Sequence, residues 1–336
     1  MKASLRATQG SALLGEDGPT LVGGQALGIA LALLGAALFS TKAIFIKLAY
    51  REMEALEPVT LLALRMGFAL PVYVGVLAWT WRKRPPDRRV AVSSFLLGLL
   101  GYHLCAWLDF AGLQYITAQL ERLLLFTYPA FVLLLGAVFF GGRLRPSGVA
   151  SVALAYSGIA LVFARGDMAV GSNVPLGSAL VLGCALLFAL FQLLAKPRID
   201  VIGSTAFTCI ALIGATCGVA THYAIQTFGL GAGDLPGDLP GTVVGLGLAL
   251  AVLGTLLPSF FTNGALARIG AQSVAVLAMI GPLVTITLAV IVLDEPFGWV
   301  DAIGTLVTLS GIALYTWLES REKARHRKTT PTPVTR

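Results

Sequence analysis

Six ionisable residues, Lys42, Arg65, His103, Asp109, Glu121 and Arg122, lie within long apolar stretches of this 336-residue chain. An ionisable group at bilayer depth costs at least about 2.5–3.5 kcal/mol, so it needs a partner or a water-lined cavity. At about 1.5 Å of rise per helical residue, all but His103 fall in one half of a bilayer, and His103 falls near its middle. Three cations against two carboxylates leave one positive charge over, which favours a substrate bearing a carboxylate. The planar fork of arginine matches that group, making Arg65 and Arg122 the candidates for direct contact. Glu121, Asp109 and His103 are candidates for proton coupling. Glu121 and Arg122 are adjacent, about 100° apart on a helix, so at most one points straight at a given target. Glu121, Leu124, Leu125 and Tyr128 share one face, and Arg122, Phe126 and Pro129 another. The same charges also read as interhelical ion pairs that only hold helices together, and His103 as hydrogen-bonded packing.

Other polar positions carry weaker signals. Tyr102, Cys105 or Ala106, and Asp109 form a stripe at helical spacing. Lys47 reads as an interfacial anchor with its ammonium reaching toward water. Gln192, Thr262 and Asn263 read as polar links between helices. Pro129 and Pro282 stand inside apolar stretches and are the candidate hinges, since each removes a backbone hydrogen bond. Cys105, Cys184, Cys209 and Cys217 show no metal-ligand spacing and read as small packing residues. No phosphate-binding glycine loop and no His-Glu-x-x-His motif occurs, so neither ATP, a metal nor another cofactor is expected.

The elements that position these residues follow from composition. Hydrophobic residues make up 57% of the chain and charged residues 12%, against roughly 25% charged in soluble proteins. A water-soluble fold cannot hide so much apolar surface. Stretches long enough to cross a bilayer run near 26–49, 57–80, 91–112, 117–140, 147–164, 175–195, 203–227, 241–265, 272–293 and 297–317. None alternates with the period of barrel strands, so the expected class is all-α integral membrane, with ten transmembrane helices. The net charge of +7 does not imply nucleic acid. Its cations cluster between spans, where they set orientation. With the N-terminus inside, most of the 24 Lys and Arg residues fall on the cytoplasmic side, including Arg82–Arg89 and the basic tail, and the charged set of the first half lies in the outer leaflet. The leader, 1–22, is expected to be cytoplasmic and disordered, with no cleavable signal. The tail, 318–336, is expected to continue the last helix briefly and to be drawn to anionic lipid.

The chain also repeats itself. Leu113–Gln119, Pro129 and Ser157–Leu161 recur as Leu266–Gln272, Pro282 and Ser310–Leu314, each 153 residues on without a gap. Gly28, Phe39 and Lys47 match Gly177, Phe188 and Lys196, 149 residues on. The repeats are expected over 23–165 and 166–317, five spans each. An odd number turns the second copy upside down, which gives two bundles around an axis in the membrane plane and a cavity able to open to either side. The charges do not repeat: Val274 and Ala275 stand where Glu121 and Arg122 do.

On these features the chain resembles the EamA family of the drug/metabolite transporter superfamily, over essentially residues 26–317. Lys47 and Lys196 close the first span of each repeat. Pro129 and Pro282 stand within the fourth and ninth spans, Leu293-Asp294-Glu295-Pro296 ends the ninth, and the fifth and tenth are rich in Ser and Gly. Gly141-Gly142-Arg143 departs from the Gly-Glu-Arg-like ending usual in the family. The resemblance implies a secondary transporter, not an enzyme, that moves amino acids or other small metabolites without ATP, often outward. The expected location is a bacterial cytoplasmic membrane, with protons as a coupling ion. A membrane-embedded enzyme and a non-transporting membrane partner are the competing readings.

Overall fold

A computed structural model describes residues 19–83, 85–139, 146–165, 167 and 169–329. Every element in it is helical: α1 (Pro19–Ser40), α2 (Lys42–Glu52), α3 (Pro58–Lys83), α4 (Arg88–Gly98), α5 (Cys105–Leu113), α6 (Ala118–Leu125), α7 (Tyr128–Phe139), α8 (Pro146–Arg165), α9 (Val174–Ile202), α10 (Ser204–Ala224), α11 (Gly241–Ala251), α12 (Leu257–Ala278), α13 (Gly281–Leu293) and α14 (Trp299–Thr329). Among the described residues, seven helical stretches are long and apolar enough to cross a membrane, and three shorter apolar ones run over Gly148–Ala164, Gly281–Leu293 and Trp299–Leu314. The first helix starts at Pro19, inside the expected leader, because a proline is well tolerated in a helix's first turn. The rest of the leader, residues 140–145 with Gly142, and the chain beyond Thr329 lie outside the described residues.

Five consecutive helix pairs, α1/α2, α4/α5, α6/α7, α11/α12 and α12/α13, are parts of interrupted rods. Thr41 separates α1 from α2, and Phe126–Thr127 separates α6 from α7. Pro129 and Pro282 each stand second in their helix, α7 and α13, where a missing N–H breaks no internal bond. The candidate hinges therefore sit at real breaks in the helical rod, not within continuous helix. Two π-helical turns, Leu99–Leu104 and Val252–Leu256, join α4 to α5 and α11 to α12. They begin 153 residues apart, the same spacing that relates the sequence repeats.

Packing rests on backbone approach. α1 runs along α12, α8 along α14, α10 against α3 and α4, and α9 against α5 and α7. A Cβ at Gly158 would lie 2.4 Å from the Gly304 carbonyl, and one at Gly311 2.5 Å from Ala155 N. Small residues are favoured in such contacts because lipid supplies no hydrophobic drive between helices. The buried core centres on Ile46, Leu61, Leu62, Met66, Phe110 and Leu113, while Trp79, Val138, Phe139, Ile291 and Trp299 are exposed. Among the described residues the tightest glycine is Gly98, whose Cβ would sit 1.8 Å from the Ala211 carbonyl. Gly98→Ala is expected to lower stability by about 1–3 kcal/mol through overpacking, measured as a drop in melting temperature in detergent.

Candidate functional site

The site is assembled at the helix breaks. Thr41 ends the first segment, so Lys42 opens α2 with its side chain directed into the bundle, where it is buried. Its Nζ lies 2.5 Å from Asp109 Oδ2 on α5 and 3.6 Å from Glu121 Oε1 on α6. Glu121 is completely buried. Asp109 Oδ1 and both Glu121 oxygens accept no hydrogen bond. One ammonium thus serves two carboxylates, and three carboxylate oxygens are left without a donor.

Arg122, about 100° round the helix from Glu121, meets a different set of partners. Its Nη2 donates to Ser40 Oγ at 3.4 Å, and its guanidinium lies between the rings of Phe39 and Phe126, 5.6 and 5.0 Å from their centroids. Arg122 Nε is buried without an acceptor. Ser40 Oγ donates to Ala36 O and also reaches Gly281 O at 3.0 Å, and Thr285 Oγ1 donates to Ser40 O at 3.2 Å. These bonds tie the α1–α2 break to the start of α13. A Cβ at Gly281 would come within 2.8 Å of Arg122 Nη2, so only glycine leaves the guanidinium its place.

Arg65 is held apart from this set. Its Nε donates to Thr255 Oγ1 at 2.8 Å, and its guanidinium lies 5.7 Å from the Phe110 ring. Thr255 Oγ1 in turn donates to Leu250 O, five residues back, a reach that the π-helical turn supplies. His103 goes elsewhere, with Nε2 3.2 Å from His222 Nδ1 on α10. The structure therefore joins Lys42, Asp109, Glu121 and Arg122, sets Arg65 at their flank, and pairs His103 with a residue that spacing does not indicate.

The two repeats make one contact twice with different chemistry. Lys42 packs on Gly254, whose Cβ would stand 3.8 Å from Lys42 Cβ, and the ring of Phe191 packs on Gly101. Gly254 follows Gly101 by 153 residues, and Phe191 follows Lys42 by 149. A ring therefore occupies in the second copy the place of the cation in the first. Phe191 continues into an aromatic row with Tyr102 at 5.1 Å and Phe188 at 6.1 Å, and Tyr128 meets Phe188 at 5.3 Å.

One end of the bundle is laced shut. Glu295, just past α13, accepts from Ala118 N at 2.8 Å and Gln119 N at 3.2 Å, which satisfies two of the free N–H groups that open α6. Gln119 Nε2 donates to Pro296 O at 3.2 Å. Thr117 Oγ1 accepts from Leu120 N. Lys47 does not reach toward water: its Nζ donates to Leu113 O at 3.1 Å and Ile116 O at 3.0 Å, because the end of α5 leaves carbonyls unpaired there. Arg51 donates to Leu293 O. Asp294 adopts a left-handed φ of 51°, which turns the chain so that Glu295 faces α6. The Leu-Asp-Glu-Pro run marks this position in the sequence, but its partner, 177 residues away, is visible only in the fold.

The EamA-like transporter family model matches residues 26–164 and 175–317. The chain is 27% identical over 288 residues to the "Uncharacterized transporter YcbK" of Bacillus subtilis, covering 83% of this chain and 89% of that one. It is 28% identical over 278 residues to an "Uncharacterized transporter" of Archaeoglobus fulgidus, covering 81% and 91%. A solved crystal structure shares the fold with a TM-score of 0.55 at 19% identity, covering 88% of this chain and 99% of the other.

Proposed function

The chain belongs to the EamA-like transporter family and is a multi-pass membrane protein, and on that premise we propose that it moves a small carboxylate-bearing metabolite, an amino acid or similar solute, outward by alternating access. In this reading ten helices form two inverted five-helix repeats over 23–165 and 166–317. Both termini face the cytoplasm of a bacterial cell, and the Glu295-laced end faces outward. Two similar halves have similar energies when either end closes, which is what alternating access needs. The twice-made contact of Lys42 with Gly254 and Phe191 with Gly101 supports the inversion.

The observation that carries the proposal is the buried Lys42–Asp109–Glu121–Arg122 group, confined to one repeat and gathered at helix breaks. Arg122 offers the substrate carboxylate a guanidinium with an unused N–H. Arg65 lies at the flank for a second contact. Glu121 shares its cation with Asp109 and has both oxygens undonated, so it is the member assigned to exchange a proton for substrate. Pro129 and Pro282 mark the breaks about which α7 and α13 swing as the ends open in turn.

Proteoliposomes containing the purified protein test this reading. Loaded with labelled amino acids and organic acids, they are expected to show flux that rises when a pH gradient is imposed. No gradient-dependent flux for any carboxylate in a broad panel overturns it.

A further inference from the structure

We propose that the crevice between the start of α4 and the end of α9 is a binding site for the phosphate headgroup of an anionic membrane lipid. The crevice holds about 390 Å³ and is lined by Arg89, Val90, Ser93, Pro197, Arg198 and Val201. Arg89 stands near the start of α4 and Asp109 near the end of α5, opposite ends of one helical rod, and the transport reading makes no use of the crevice.

Three observations point to this ligand. The first is charge without a partner: among the described residues no carboxylate pairs with Arg89 or Arg198. The nearby acids are engaged, since Asp87 Oδ1 caps α4 by accepting from Arg89 N and Asp200 pairs with Lys196. The second is preorganisation. Arg198 Nη1 donates to Leu194 O at 2.6 Å and Nε faces Ser93 Oγ at 3.4 Å, which fixes the guanidinium across the helix-to-helix gap. The third is amphiphilic form. Val90, Pro197 and Val201 make an apolar wall beside the two arginines, and Val201 is 68% exposed. A soluble anion has no use for such a wall, whereas a lipid places its phosphate on the arginines and its first methylenes on the valines. Basic crevices between helices at a membrane surface take headgroups in this way. The two walls come from different repeats, so a lipid here also bridges them.

Native mass spectrometry of the full-length protein, offered phosphatidylglycerol or phosphatidylcholine in detergent, tests the assignment. The wild type is expected to retain phosphatidylglycerol in preference. Arg89→Gln and Arg198→Gln should each weaken retention about fivefold, and the pair about twenty-fivefold. Lys196→Gln, which removes a cation already paired with Asp200, should leave it unchanged. Melting temperatures in lipid-free detergent check that the variants stay folded. Arg89 is exposed, so its variant alone decides the matter if Arg198→Gln unfolds. Equal retention of the two lipids overturns the proposal, as does a folded Arg89→Gln that binds like the wild type. Displacement of phosphatidylglycerol by millimolar inorganic phosphate or glycerol phosphate assigns the crevice to a soluble anion and overturns the lipid.

Discussion

Lys42→Met is expected to abolish transport and to destabilise the protein by about 3–5 kcal/mol, while Glu121→Gln abolishes transport and leaves the melting temperature at or above that of the wild type. The difference follows from which charge is left over. Lys42 is the cation within 4 Å of both Asp109 and Glu121. Removing it strands two buried carboxylates, and breaking a buried pair from one side costs that much. Glu121→Gln keeps the shape and leaves the 2.5 Å Lys42–Asp109 pair in place. It also removes a carboxylate whose oxygens accept nothing. If Glu121 is the proton-exchange group, the loss is functional and not structural. Arg122→Ala is expected to behave like Glu121→Gln in transport, because its guanidinium meets a serine hydroxyl and two rings and has no carboxylate partner within 4 Å among the described residues. Transport assays in proteoliposomes, with melting curves in detergent alongside, separate the outcomes. Normal flux from both Glu121→Gln and Arg122→Ala rules out the site. A Glu121→Gln protein that fails to fold makes the charges structural ties.

Glu295→Ala is expected to open the end of the bundle that it closes. Its carboxylate accepts two backbone N–H groups of α6 from across the repeat boundary. Hydrogen bonds to a charged group contribute about 1.5–3 kcal/mol each. Losing one such bond alone shifts the balance between closed and open ends roughly tenfold or more. A cysteine at Ala118, completely buried here, reports the change. Cys105, Cys184, Cys209 and Cys217 are free thiols and have to be replaced first. A membrane-impermeant maleimide should label Ala118→Cys at least about ten times faster when Glu295 is alanine. Unchanged labelling means that Glu295 serves only as a helix cap.

The asymmetry between the repeats explains why the candidate site is legible in part. Glu121 and Arg122 stand out because Val274 and Ala275 replace them in the second copy. Lys42, Asp109 and Arg65 stand out by their cost in an apolar stretch. His103 meets the same criterion, and its ring faces His222. Ser40, Phe39, Thr255 and Gly281, all in contact with the charged residues, carry no signal of their own, since serine, phenylalanine, threonine and glycine are ordinary in membrane helices. Lys47 looked like an anchor because lysine at a span's end usually is one. The unpaired carbonyls that hold it come from a connection 66 to 69 residues away.

The sequence alone determined the solvent, the helical class, the repeat and the inventory of buried charges. Each of these depends on composition or on spacing along one chain: apolar length against bilayer thickness, period against helix, offset against copy. Only the tertiary structure decided which charge meets which. Lys42 pairs with both Asp109 and Glu121, Arg65 turns to a threonine on a π-helical turn, and Glu295 reaches the start of α6. Such pairings depend on where helices break, how they rotate about their axes and how closely glycines let them approach. A shift of one residue turns a side chain by about 100°, enough to aim it at a different partner.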